Sequence, residues 1–359
     1  MWFSWLMLVV GLVLILVGCD IFTNSIEWLG KKLDLNEGVL GSVFAAVGTA
    51  LPETLIPIVA VILGATSSAG VSHANDVGLG AIIGAPFMLA TVAMFVTGIA
   101  VLIYTARGRR ADIDLRVNSR IISRDIRFFL VAFTVAIVMS FFTNIVLRIV
   151  VALVLVAYYF FYVYRHATDT SEETGHEEED AEELLPLHFQ RRNPDPPLWA
   201  VVAQVVVGLG VIVGSAALFV QYVGDVAHDI GITPLILSLI VVPLATELPE
   251  KFNSVLWVRR SKDTLALGNI TGAMVFQSTL PVSFGMVFTE WRMTAEYIPA
   301  FTQALMAIIA ALLLFASIIV WKRLTARALI LSGTWYLVWA VLVFPLGLQE
   351  LVTKLGWFQ

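Results

Sequence analysis

Long apolar runs, interrupted by short polar connectors, recur along all 359 residues. Ten of them stand at 2–20, 38–63, 77–104, 128–143, 145–164, 198–222, 232–257, 264–289, 299–321 and 327–347. Most approach the roughly 20 residues that an α-helix needs to cross hydrocarbon. The pattern predicts an all-α polytopic membrane protein with ten transmembrane helices. Composition agrees: apolar residues make up 59% of the chain and charged ones 14%, which argues against a soluble fold.

The polar positions inside those runs reveal a duplication. "TALPE" at Thr49–Glu53 returns as "TELPE" at Thr246–Glu250, and "LGAIIGA" at Leu79–Ala85 returns as "LGNITGA" at Leu267–Ala273. The boxes keep their order and fall in the second and third spans of two five-span halves. Five is odd, so the halves cross the membrane in opposite senses. This predicts two inverted five-helix repeats, an architecture in which broken helices meet near the bilayer midplane. The expected division is 1–165 for the first repeat, 166–197 for an acidic cytoplasmic linker and 198–359 for the second repeat.

Charge supplies the orientation. With Arg107–Arg127 on the cytoplasmic side, 18 of the 22 Lys and Arg fall there, Arg292 and Lys354 fall outside, and Arg148 and Lys251 lie within spans. That bias follows the positive-inside preference and predicts a multi-pass protein of the cell (inner) membrane with both termini outside the cytoplasm. The net charge of −5 misleads, because nine acids sit in Asp169–Glu183. A single cysteine, Cys19, excludes an intramolecular disulfide or a cysteine metal cluster. It stands in "LVGCD" (Leu16–Asp20), which resembles a lipoprotein cleavage site, but no Lys or Arg precedes it and the run is long enough to span. The stretch is read as an uncleaved first helix.

The repeated boxes carry the chemistry. Pro52 and Pro249 have no N–H, so each frees a carbonyl four residues back, at Gly48 and Ala245. In hydrocarbon such a break survives only where it lines a cavity or holds a cation. Thr49 and Thr246 add hydroxyls, and Glu53 and Glu250 add carboxylates one residue past each proline. All are hard oxygen ligands of the kind that Ca2+ takes. Gly80, Gly84, Gly268 and Gly272 are expected to let the third and eighth spans pack tightly on the broken ones. A proline alone reads as a kink and a glycine pair alone as packing. A costly intramembrane Glu at matching places in both halves instead points to a shared cation site.

These residues resemble the two alpha repeats of the calcium/cation antiporter superfamily, which includes sodium/calcium and calcium/proton exchangers. "GTALPE" and "ATELPE", each followed by an LG-x-I-x-GA box, carry the likeness, together with the entry stretch Leu16–Thr49. The resemblance implies Glu53 and Glu250 as central cation-binding carboxylates, Thr49 and Thr246 as neighbouring oxygens, and Asn269 as a ligand from the eighth span. It also implies alternating-access exchange of Ca2+ against H+ or Na+. This chain departs from the pattern at Ala50, Glu247 and Ala81. Its third span offers no oxygen at Ala85, Met88 or Leu89, whereas the eighth keeps Asn269, Gln277, Ser278 and Thr279. So few oxygens fit proton coupling better than the binding of several sodium ions.

Glu247 and Lys251, four apart on one helical face, read as an intrahelical ion pair. The rival reading makes Glu247 a third ligand carboxylate with Lys251 as a built-in cation. Thr168–Glu183 reads as a solvated, disordered acidic run. His73, Asn75 and Asp76 read as a cap for the next helix, and Arg107–Arg127 as an amphipathic segment facing anionic lipid rather than nucleic acid. Inorganic cations and the bilayer are the expected partners, with no cofactor. An intramembrane hydrolase is disfavoured, since no H-E-x-x-H motif is present. A monovalent cation/proton antiporter on the same scaffold, and more remotely a channel, are the alternatives.

Overall fold

In the computed structural model, which describes residues 2–33, 54–62, 74–173, 185–321 and 323–344, the apolar runs form helices. They are α1 (Trp2–Lys32), α2 (residues 54–62), α3 (Ala74–Ala106), α4 (Ser119–Met139), α5 (Ile145–Glu173) and α6 (Leu198–Ile230). After them come α7 (Pro234–Thr246), α8 (Leu248–Arg259), α9 (Asp263–Gln277), α10 (Leu280–Phe288), α11 (Ile298–Trp321) and α12 (Ala326–Val343). Seven spans among the described residues are long and apolar enough to cross a membrane. Of the three others expected, the run 38–63 is described only over 54–62, and the remaining two have physical causes. α7 and α8 are 13- and 12-residue pieces of one broken span, and α4 opens with Arg120, Arg124, Asp125 and Arg127.

The first and sixth spans run well past their expected ends at 20 and 222. α1 is 31 residues long and α6 is 33, and the two pack along each other. Polar residues beyond the apolar runs find partners there. Gln204 Nε2 donates to Asn24 Oδ1 at 2.9 Å and to Ile21 O at 3.0 Å, inside the helix pair. Gly208 lets the helices approach, since a Cβ on it would lie 2.9 Å from the Phe22 backbone. α6 stops at Gly231, whose φ of 72° closes the helix in the left-handed conformation.

The linker is less detached than its composition suggests. α5 continues as helix to Glu173, so the start of the acidic run is helical; residues 174–184 lie outside those described. Beyond it the chain lies against α1 and α6. Trp28 Nε1 donates to Leu185 O at 2.9 Å, Leu187 is buried, and the Phe189 N–H donates to Gln204 Oε1 at 2.9 Å.

Contacts between helices come in exchanged pairs. α3 packs on α11 and α12, and the α9–α10 span packs on α4 and α5. The connectors pair likewise. Asp114–Leu115, between α3 and α4, forms a short antiparallel ladder with Leu324–Thr325, between α11 and α12. Arg110 grips Asp263 with two bonds of 2.7 and 2.8 Å at the start of α9. Arg148, at the start of α5, donates to Trp291 O between α10 and α11 at 2.6 Å. Arg110 and Arg124 therefore face protein, which corrects the expectation that the whole Arg107–Arg127 stretch faces lipid; Arg107, Arg109, Arg116, Arg120 and Arg127 remain exposed. Asn118 caps α4 by accepting from the Arg120 and Ile121 N–H groups. Asn75 and Asp76 lie within the first turn of α3 rather than ahead of it. His73 lies outside the described residues.

Candidate cation-binding site

Prolines shape the seventh span. Pro234 opens α7 beside the Thr233 cap, which accepts from the Ile236 N–H. Pro243 leaves Leu239 O without its helical donor. Gly84 of α3 sits against that carbonyl; a Cβ there would be 2.7 Å from Leu239 O and 2.8 Å from Pro243 Cγ. The helix then ends at Thr246, Glu247 bridges with φ −93° and ψ 13°, and α8 resumes at Leu248 with Pro249 in its first turn. Pro249 offers no N–H to Ala245 O, which is why the chain breaks here. The break stands where the repeated box places it.

Around it the polar groups are buried. Glu247 is 0% exposed, Glu250 2%, Lys251 5% and Thr246 3%. Lys251 Nζ lies 3.6 Å from Glu247 Oε2 and donates to Pro243 O at 3.5 Å. The ion pair expected from the i,i+4 spacing is present but too long for a hydrogen bond. Both Glu247 oxygens and Glu250 Oε2 have no hydrogen-bond partner among the described residues. Glu250 stands in the first turn of α8, where the helix dipole favours negative charge. From the neighbouring helix, Asn269 Nδ2 donates to Glu250 O at 3.4 Å. That bond turns the Asn269 amide toward the first turn of α8, just past the break. Thr246 Oγ1 donates to Val242 O at 3.1 Å and keeps lone pairs to offer.

Of the expected site residues, the structure thus brings together Thr246, Glu247, Glu250 and Asn269, with Ala245 at the end of α7. Gln277 does not join them. It is 1% exposed with Nε2 unpartnered among the described residues, but it ends α9 eight residues after Asn269. Eight residues of helix rise about 12 Å, which sets Gln277 more than two turns away from Asn269. Gly48, Thr49 and Glu53 lie outside the described residues. The expected glycine packing holds for Gly80 and Gly84 on α7. Among the described residues nothing comes within 4 Å of a Cβ on Gly268, and only Tyr162 Oη, at 3.7 Å, on Gly272.

Two features escaped the sequence reading. α3 contains Pro86 and passes through a π turn at Leu89–Ala93, where Ser332 Oγ donates to Ala90 O at 2.7 Å. Asp125, on α4, is 1% exposed and accepts from Thr271 Oγ1 of α9 at 2.9 Å and from Tyr162 Oη of α5 at 3.2 Å. Pro86 was available as a signal. Asp125 was hidden in an arginine-rich stretch that looks solvated.

Comparison with known proteins fits this geometry. The family model "Sodium/calcium exchanger protein" matches residues 3–167 and 200–345. A protein named antiporter CaxA, from Alkalimonas amylolytica, is 29% identical over 133 residues, 37% of this chain and 42% of CaxA. The sodium/calcium exchanger MaX1 of Methanosarcina acetivorans is 31% identical over 100 residues, 28% of this chain and 25% of MaX1. The chain thus spans less than half the length of either relative. The crystal structure of the H+/Ca2+ exchanger CAX is 16% identical, with a TM-score of 0.70 over 98% of this chain and 85% of that one, a likeness of fold. With the family model matched across both halves and a broken, carboxylate-bearing helix in the second, this chain belongs to the sodium/calcium exchanger protein family.

Proposed function

We propose that this chain is a secondary-active antiporter that exchanges a divalent cation, Ca2+ above all, for protons or sodium ions by alternating access. The observation that carries the reading is the break at Glu247, where two buried carboxylates hold oxygens with no hydrogen-bond donor among the described residues, Glu247 having only the Lys251 ammonium at 3.6 Å and Glu250 Oε2 no partner at all among them. An unpaired charge in hydrocarbon is costly and rarely retained without a role. A passing cation supplies the missing partner.

Its scaffold is ten spans in two inverted five-helix repeats, 1–165 and 198–359, joined by the linker 166–197. The exchanged helix contacts support a two-fold relation between the halves. The connectors support its inversion. The link between the third and fourth spans meets the one between the ninth and tenth, and the link between the fourth and fifth meets the one between the eighth and ninth. Partners that share a membrane face are therefore offset by one span, as an odd number of spans per half requires. Basic residues in the first set of connectors put that face in the cytoplasm of a cell membrane, with residues 2 and 344 on the other side.

Coupling follows from charge and from the supply of oxygens. Glu53 and Glu250 leave the pocket at minus two once Glu247 is balanced by Lys251. One Ca2+ cancels that charge, and so do two protons on the return. A proton needs a carboxylate and little else, so the scarcity of oxygens on α3 favours protons. Purified protein in liposomes tests this with Ca2+ uptake driven separately by a pH gradient and by a sodium gradient. Uptake driven by the pH gradient, weakly sensitive to membrane potential and falling as the pH on the Ca2+ side drops, is expected. Sodium-driven, strongly voltage-dependent uptake that is flat with pH overturns proton coupling, and a monovalent cation carried in place of Ca2+ overturns the substrate.

A further inference from the structure

The Asn269 amide reaches Glu250 O only if α9 keeps one particular rotation about its axis. Asn269 and Thr271 are two residues apart, so they stand about 200° apart on the helix, one facing α8 and the other facing α4. On the α4 side Thr271 donates to Asp125 Oδ2 at 2.9 Å, while Oδ1 accepts from Tyr162 Oη at 3.2 Å and lies 3.6 Å from Arg124 Nε. Arg124 in turn donates to His166 Nδ1 on α5. Asp125, Tyr162 and Thr271 are 1%, 7% and 1% exposed. A carboxylate buried this deeply among hydroxyl donors from two other helices is an anchor point, not a solvated charge.

α9 is buried along Ala266, Leu267, Ile270 and Met274, yet the packing is not complete beside the bond. Beside Thr271 lies a small apolar cavity lined by Ile122, Ile126, Leu267, Leu314 and Ile318. The glycines flanking Asn269 and Thr271 present no side chain to either neighbour. A turn of about 20° about the helix axis would carry a side-chain oxygen some 5–6 Å from that axis through about 2 Å. That displacement is comparable with a whole Ca2+–oxygen bond.

We propose that Asp125 is a positioning residue: through its bond to Thr271 it fixes the rotation of α9 and so aims Asn269 at the α7–α8 break. The proposal rests on reading Asn269 as a cation ligand. Its test uses Thr271→Val, which removes the hydroxyl with little change of shape, and Thr271→Ser, which keeps it. Both go into full-length protein carrying Cys19→Ser.

Two readouts are taken. One is the half-saturating Ca2+ concentration and the maximal rate of exchange in liposomes. The other, independent of transport, is the rate of oxidative cross-linking between Ser254→Cys on α8 and Ala266→Cys on α9, positions joined by a bond of 2.9 Å from Ser254 Oγ to Ala266 O. Thr271→Val is expected to slow cross-linking and to raise the half-saturating concentration, each at least five-fold, with the maximal rate within two-fold. Thr271→Ser and wild type should agree within two-fold on both. Asp125→Asn, left with one acceptor oxygen for two hydroxyls, should fall between them. Unchanged cross-linking in Thr271→Val overturns the proposal, as does a loss of maximal rate at unchanged half-saturation, which marks a merely structural bond. If cross-linking responds but wild type exchanges no Ca2+, the hold on α9 stands and the cation reading falls.

Discussion

α3 and the α9–α10 span carry the two copies of the glycine box and opposite chemistry. α3 runs from Ala74 to Ala106, absorbs Pro86 through a π turn, and presents Ala81, Ile82, Ile83, Ala85 and Met88 to its neighbours, all buried. Its counterpart stops at Gln277, restarts at Leu280, and carries Asn269, Thr271, Gln277, Ser278 and Thr279. Both spans keep their glycine boxes. The two copies of one box therefore differ in what they offer: Gly80 and Gly84 of the first pack closely on α7, whereas the second carries oxygen-bearing side chains.

The largest effect that sharpens this contrast is at the break beside the eighth span. Glu250→Gln should abolish exchange while the protein still inserts and runs as a monodisperse species, because the replacement keeps the shape and removes the charge that the cation needs. Lys251→Met comes next. It leaves Glu247 buried without its counter-charge, a loss of roughly 3–5 kcal/mol for a broken buried pair, read as a fall in thermal stability. Glu247→Gln with Lys251→Met should restore most of that stability. If the double variant also exchanges normally, Glu247 is only an ion-pair partner; if it folds and does not exchange, Glu247 is a ligand.

Asn269→Ala should raise the half-saturating Ca2+ concentration about ten-fold, the order of one charged contact. Ala81→Asn, in the matching position of α3, tests the other side of the contrast. It should not rescue Asn269→Ala, since α3 is held by its packing against α7. The smallest effect concerns that packing. Gly84→Ala places a methyl 2.7 Å from Leu239 O and should cost about 1–3 kcal/mol of stability. Gly210→Ala, on the exposed face of α6 with open space around it, should be neutral within about 0.5 kcal/mol.

How much of this was legible in the sequence depended on how local the cause was. Pro249 acts on a carbonyl four residues away, so the break and its carboxylates could be read from a pentapeptide. The helix ends could not. The apolar run of α1 stops at Cys19, but the helix goes on because Asn24 meets Gln204, a partner 180 residues distant. Arg110 and Asp125 looked like solvated charges for the same reason, since Asp263 and Thr271 lie 153 and 146 residues further along the chain. Gln277 differs again: eight residues of helix set it on a separate turn from Asn269, a separation that the spacing alone makes legible.

The central claim is that the cation sits on the buried carboxylates of the break and displaces protons from them. Titrating purified protein with Ca2+ by calorimetry, in buffers of different ionisation enthalpy at mildly acid pH, counts protons released for each ion bound. Wild type should bind Ca2+ with a net release of protons that shrinks as pH rises, and Glu250→Gln should neither bind nor release. Ca2+ binding of unchanged affinity in Glu250→Gln, or binding by wild type with no proton release at any pH, would contradict the account.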